Sequence, residues 1–233
     1  MPSLDDLKQR IREEAGRQPE KFFAVDAIRS EGFFRDTCSE CGTTFWSQNP
    51  DREVCGEPDC GDGYTFIGDS PAAKTFDVVS AWDAFSEFMR ERGYEPIDRY
   101  PVAARWRDDT EVVRASIYDF QPHVVSGEVD PPANPLVVPQ FTFRSNDIDN
   151  VGNIGRHYTG FIMVGQHAFT DPDDYAQRKY FRDMLDWIVG GMGIPKDEIV
   201  LHEDAWGGGG NLGASMEFFV RGLELFNQVY MFY

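Results

Sequence analysis

Four cysteines constrain this chain more than any other feature. They stand as Cys38, Cys41, Cys55 and Cys60, in the spacing C-x2-C-x13-C-x4-C, and they are all the cysteines in 233 residues. Each pair sits beside Gly or Pro, which turn a backbone tightly. Two such pairs can present four thiolates tetrahedrally to Zn²⁺ at about 2.3 Å. The alternatives are two disulfides or four unlinked thiols. None of the four His has ligand spacing to another, so the metal is expected in a closed, structural role. Residues 36–71 are rich in Cys, Gly, Pro, Asp and Ser, and a metal there would replace the hydrophobic core that the segment lacks.

The rest of the chain has ample material for a core, with 41% hydrophobic and 14% aromatic residues. No apolar run reaches the roughly 18–20 residues that span a bilayer, and residues 1–14 lack the apolar stretch of a secretory signal. The expectation is a soluble cytoplasmic protein with no membrane partner, a setting that also disfavours disulfides. Forty acidic against 22 basic residues leave a net charge of −18. Taken alone, that charge opposes non-specific nucleic-acid binding. It also fits a halophilic protein, because in about 1 M salt the Debye length falls to about 3 Å and self-repulsion is screened. The acidity runs along the whole chain and forms no tail.

Two domains are expected: residues 1–71, an N-terminal helix and the Cys module, and residues 72–233. Leu4, Leu7, Ile11 and Ala15 make one stripe of a helix over residues 1–20. Val78, Val79, Trp82, Phe85 and Met89 predict a helix over 77–92, stopped at Gly93. Tyr180, Phe181, Met184, Leu185 and Ile188 predict another over 175–189, ended by Gly190 and Gly191. Residues 112–118, 124–125, 136–143, 158–169 and 199–202 read as strands, and 215–233 as a final helix. Strands that follow one another without intervening helices favour an antiparallel α+β sheet. The chain ends inside an apolar segment, which reads as a truncated protein.

Gly208, Gly210 and Gly213 spell G-x-G-x-x-G after a plausible strand. A dinucleotide fold would also need a βαβ unit and an acidic residue about 20 positions on, and neither follows. The run is read as a flexible loop beside a pocket. His123, His167 and His202 are read as ordinary packed or surface histidines.

Residues 135–169 are the richest stretch. Two strand-like arms flank a polar loop, Arg144 leaves the first arm, and Arg156 and His157 open the second. Cations at both inner ends of a hairpin could converge on a polyphosphate, and the planar guanidinium donates paired hydrogen bonds to phosphate oxygens. Phe161 would offer a flat face to a base. An exposed hairpin with solvated charges is the equally plain alternative.

These residues carry a resemblance. Phe141-Thr142-Phe143-Arg144, with Arg156-His157-Tyr158-Thr159-Gly160-Phe161, resembles motif 2 of class II aminoacyl-tRNA synthetases. NDIDNVGNIGRHYTGF (146–161) is similar to the corresponding loop of alanyl-tRNA synthetases. PDREVCGEPDCGD, PVAARWRDD, VVSGEVDPPANPLVVPQ and VRGLELFNQVYMFY resemble the archaeal form. The similarity runs from about residue 20 to the end.

The resemblance implies an antiparallel catalytic sheet flanked by helices, with ATP, alanine and tRNA(Ala) as substrates and Mg²⁺ accompanying ATP. Arg144 matches the catalytic arginine that holds the α-phosphate. Arg156 and His157 match the arm near the outer phosphates, and Phe161 the aromatic that stacks on adenine. Trp206 is similar to the wall of the alanine pocket, and Asn227 to an asparagine near it. The helix around Trp82 and Met89 resembles motif 1. The class usually carries Glu two residues after the motif 2 arginine. Asn146 stands there, followed by Asp147, and both are candidates for the adenine amino group. Motif 3, the Asp beside it, the editing domain and the tRNA-recognition helices are not among these residues, so tRNA(Ala) would bind through missing downstream domains. The chain alone is expected to be inactive. The implied chemistry is attack of the alanine carboxylate on the α-phosphorus of ATP, then transfer to a tRNA ribose hydroxyl. The rivals are a non-catalytic zinc module that binds RNA, which the acidic segment 36–62 disfavours, and a stand-alone relative that activates an amino acid without tRNA.

Overall fold

Ser3 starts the first helix, α1 (Leu4–Arg17), by a reciprocal cap: its side chain accepts from the Asp6 N–H, and Asp6 accepts from the Ser3 N–H. The computed structural model describes residues 2–146, 148–152 and 158–231, and the backbone of Phe232. The chain clusters into two compact units, Met1–Thr75 with Tyr175–Tyr233, and Phe76–Asp174. The boundary expected after residue 71 falls just before the first crossing, whereas the return near Tyr175 had no counterpart in the sequence reading.

The first unit is built on a five-stranded sheet of order β1-β2-β6-β7-β8. Its strands are β1 (Phe34–Thr37), β2 (Thr44–Ser47), β6 (Ile199–Gly208), β7 (Asn211–Val220) and β8 (Leu223–Phe232). Every pairing is antiparallel, as expected. Side chains alternate between faces, so Leu201, Ala205, Ala214, Met216 and Phe218 share one face, and all are buried. Helix α4 (Gln177–Asp186) packs on that face: Phe181 stacks on Phe218 at 5.8 Å, and Gln228 donates to the Tyr180 carbonyl. The helix ends in a π-helical turn, Trp187–Gly191, where Gly190 and Gly191 were expected to stop it. Helix α2 (Val25–Ser30) packs beside α4, and α1 runs along β6 and β7.

Residues 215–232, expected as part of a final helix, are not helical. They form most of β7 and β8, joined by a two-residue turn at Arg221 and Gly222, whose φ values are 51° and 86°. Positive φ at both central residues suits the twist of a hairpin. The apolar spacing of Met216, Phe218, Phe219 and Val220 fits a strand buried on both faces as well as it fits a helix. The glycine run is likewise built around a hairpin turn. Gly209 and Gly210, at φ 59° and 94°, join β6 to β7, while Gly208 and Gly213 lie in the strands.

The second unit holds helix α3 (Val78–Arg90), capped reciprocally by Asp77 and Ser80, and a sheet of order β3-β4-β5. Phe85 and Met89 of α3 are buried, while Val78 and Val79 are each 67% exposed. Gly93, at φ 89°, ends the helix. Strand β3 (Glu95–Pro96) pairs parallel with β4 (Leu136–Phe143), the one parallel strand pairing among the described residues. Strand β5 (Gly160–His167) pairs antiparallel with β4, from Leu136↔His167 to Phe143↔Gly160. The expected strands at 112–118 and 124–125 are absent. Val112 makes a single bridge to Ala103, Ser116–Asp119 is a 3-10 turn, and 124–125 lie in turns. The Val113 carbonyl still accepts from the Phe143 N–H at 2.9 Å, tying this segment to the end of β4.

Candidate metal centre and active site

The first cysteine pair lies in the β1–β2 connection. Cys38 bonds through its backbone to Thr43 and Gly42, and Gly42 takes φ 76° to close the turn. Of the second pair, Cys55 precedes the 3-10 turn Pro58–Cys60 and Cys60 ends it, and the Ser39 N–H donates to the Glu53 carbonyl to join the two loops. The four sulfurs lie within 4.8 Å of one another, and Cys41 Sγ stands 3.8 Å from Cys55 Sγ. Beneath them Cys38 and Cys55 pack on Phe45, Val200 and Phe219. Burial opposes ionisation of Cys38, but hydrogen bonds from the backbone of Cys41, Cys55 and Glu40 outweigh it and bring the thiol down to about 6. Burial pushes Cys55 up. Neighbouring thiols cannot all ionise unaided, so a cation is what would let four thiolates coexist. The cluster fits a closed tetrahedral metal site.

A row of polar side chains crosses the face of the sheet opposite α4. The register pairs Trp206 with Gly213, Asp204 with Ser215, His202 with Glu217, and Glu217 with Asn227. Trp206 is half-buried and Asn227 is exposed above the buried Glu217. A Cβ at Gly213 would stand 2.1 Å from the Tyr230 carbonyl oxygen, so only glycine fits opposite Trp206. Asn227 Nδ2 donates to Glu217 Oε1 at 3.2 Å, and Arg12 pairs with Asp204. Burial drives the Glu217 carboxyl up to about 9, with the charges of Asp204 and Glu224 adding. Burial pulls His202 down to about 4, so its ring is neutral. The predicted Trp206 and Asn227 therefore share a face, although they come from different strands.

In the second unit, the Arg144 N–H donates to the Thr159 carbonyl at 2.8 Å, extending the β4–β5 ladder by one bond. Arg144 Nε donates to the Arg114 carbonyl, and its guanidinium lies 5.4 Å from the Phe161 ring centre, within cation–π range. Thr142, opposite Phe161, donates its hydroxyl to the Phe161 carbonyl. Arg114 Nη2 donates to Asn146 Oδ1 at 3.3 Å. Arg144, Asn146 and Phe161 are thus gathered at one end of a hairpin. Asp147, Arg156 and His157 lie outside the described residues. A guanidinium beside an aromatic face is an arrangement that can hold a phosphate next to a base.

The family model for class II (A) tRNA synthetases matches residues 82–225. The chain belongs to that family. As a class II synthetase chain it is 47% identical to the alanine–tRNA ligase of Methanocella arvoryzae over 99% of its own length, and 46% identical to that of Cenarchaeum symbiosum over 96%. The alanine–tRNA ligase of Halobacterium salinarum is 44% identical over 91%. The chain spans about a quarter of the length of these relatives: 27%, 25% and 24%. No helix among the described residues is long and apolar enough to cross a membrane.

Sequence reasoning missed three members of these sites in the synthetase chain. Arg114 reaches Arg144 and Asn146 from a segment expected as a strand. Glu217 and Asp204 flank the candidate pocket, but Glu217 sat inside the residues read as a helix. Two strands ten residues long with a tight turn between them were the available signal.

Proposed function

We propose that this chain carries nucleotide- and alanine-binding groups of an alanine–tRNA ligase, which joins alanine to tRNA(Ala) at the expense of ATP. The observation that carries the reading is the placement of Arg144 against Phe161 at the root of the β4–β5 hairpin, in a chain matched almost end to end by alanine–tRNA ligases. In this reading Arg144 holds the α-phosphate of ATP and stabilises the charge that builds there as the alanine carboxylate attacks. Phe161 stacks on adenine and Asn146 faces its amino group. Asp147, Arg156 and His157 complete the nucleotide side. Trp206 and Asn227 bound the alanine side. No protein nucleophile is needed, since positioning and charge stabilisation supply the rate.

Cys38, Cys41, Cys55 and Cys60 would hold one Zn²⁺ as a structural cross-link between two loops. A cytoplasmic setting keeps such thiols reduced. Mg²⁺ arrives with ATP and offsets the charge of the triphosphate.

The test is alanine-dependent exchange of pyrophosphate into ATP by a hybrid ligase in which this chain replaces the matching quarter of the Methanocella arvoryzae protein. The hybrid should exchange, and Arg144→Ala should lower the rate by at least about a hundredfold with zinc content unchanged. Full activity in that variant would overturn the assignment of Arg144.

A further inference from the structure

Arg52 stands alone in the cysteine module. Residues 36–71 hold eight Asp and Glu, one Arg, and no Lys or His. Arg52 is half-buried, and among the described residues no carboxylate forms an ion pair with it. The charges that act on it are those of Cys55, Glu198 and Cys38. Glu198 is already committed, because it accepts two hydrogen bonds from Arg221 at 2.5 and 3.0 Å. A cation drawn partly out of water needs a counter-charge, and the cysteines are what remains.

The contacts of Arg52 lead to the sulfurs. Its Nε donates to the Val54 carbonyl at 2.8 Å, and Nη2 stands 3.5 Å from the Cys55 carbonyl oxygen. The Val54 carbonyl belongs to the same peptide group as the Cys55 N–H, and that N–H donates to Cys38 Sγ at 3.3 Å. One amide therefore has a guanidinium at its oxygen end and a cysteine sulfur at its hydrogen end. A cation at the oxygen polarises the amide and makes its N–H the stronger donor. Four thiolates around a divalent ion carry two negative charges between them, in a module already rich in carboxylates. A cation placed here offsets both.

We propose that Arg52 is the charge partner of the metal-loaded cysteine cluster, acting on Cys38 through the Val54–Cys55 peptide and favouring the more negative state of the four-thiolate site. It is a positioning residue for the metal ligands. The inference rests on Cys38, Cys41, Cys55 and Cys60 holding a metal.

Two measurements on the 233-residue chain test it. In the first, zinc competes with a chromophoric chelator. Arg52→Gln should bind zinc about tenfold more weakly, the loss typical of a residue that supports metal ligands, and Arg52→Lys, which keeps the charge, should stay within about threefold of wild type. In the second, iron replaces zinc. The four sulfurs then leave one negative charge with Fe³⁺ and two with Fe²⁺, and a single electron from the electrode separates the two states. A nearby cation favours the reduced state. Arg52→Gln should therefore lower the reduction potential by about 59 mV, the one-electron equivalent of tenfold, while Arg52→Lys holds it. Unchanged zinc affinity in Arg52→Gln would overturn the proposal. Weaker zinc binding at an unchanged iron potential would also overturn it, since Arg52 would then only tie down the loop. So would an Arg52→Lys that falls as far as Arg52→Gln. If Arg52→Gln loads no metal, Arg52→Lys decides: the wild-type potential supports the charge role, and a drop of about 59 mV refutes it. A wild-type chain that takes up neither metal removes the cysteine site and this inference with it.

Discussion

Cys41 Sγ and Cys55 Sγ stand 3.8 Å apart, which is the edge length of a tetrahedron whose centre lies about 2.3 Å from each corner, the zinc–thiolate distance. One edge of the cluster therefore already has the length of a four-thiolate site, and all four sulfurs lie within 4.8 Å of one another. The protein should bind one Zn²⁺ per chain. Chelation should speed amide exchange through Cys38, Cys41, Gly56 and Cys60 and leave the β4–β5 ladder protected. Metal analysis that finds no zinc after purification without chelators would refute the site.

Gly56 is where the cysteine loop touches the sheet most closely. Gly56→Ala would drive a methyl group into the side chain of Phe219, an overpacking that should cost about 1–3 kcal/mol. Urea denaturation should show a lower midpoint with zinc stoichiometry unchanged. An unaltered midpoint would mean that the loop moves off β7 freely.

Asp119 ends the 3-10 turn Ser116–Asp119, is 6% exposed, and neither of its oxygens has a hydrogen-bond partner among the described residues. Burial pushes its carboxyl up to about 8, above the value of about 4 in an unfolded chain. Between these values the folded state keeps a proton that the unfolded state has released, so stability declines as pH rises from about 4 to 8. Asp119→Asn removes the ionisation. Its melting point should exceed that of wild type at pH 8.5 by more than at pH 5, with a difference of roughly 1–3 kcal/mol. A gap that does not vary with pH would contradict the raised value.

With 18 net negative charges, self-repulsion should destabilise the fold at low ionic strength. Melting temperature should climb with KCl and continue to climb beyond about 0.5 M, where exposed charges are already screened over a few ångströms. A flat or falling curve from 0.1 M upward would argue against salt adaptation.

Local patterns made much of this readable in advance. The cysteine spacing picked out the four thiols that cluster in the fold. The period of Phe85 and Met89, with Asp77 before them and Gly93 after, bounded α3 almost to the residue. The β-like run over residues 136–143 matched β4, and the resemblance around Arg144 picked the hairpin root. In each case the information lies within one or two turns of chain, where a hydrophobic face or a cap leaves a period or a punctuation mark.

Relationships across strands were decided by the tertiary structure alone. Residues 215–233 carry aromatic and aliphatic side chains on both faces, so their period does not separate strand from helix. The Arg221-Gly222 turn, with positive φ at both residues and no Asn-Gly signature, settles it only when β7 folds back on β8. That closure puts Asn227 opposite Glu217, and the β6–β7 turn at Gly209 and Gly210 puts Glu217 opposite His202. The bond from Gly56 to His202 joins residues 146 positions apart. Periodicity records which face of a segment is dry; which residue lies opposite another depends on where turns close and on packing between segments far apart in the chain.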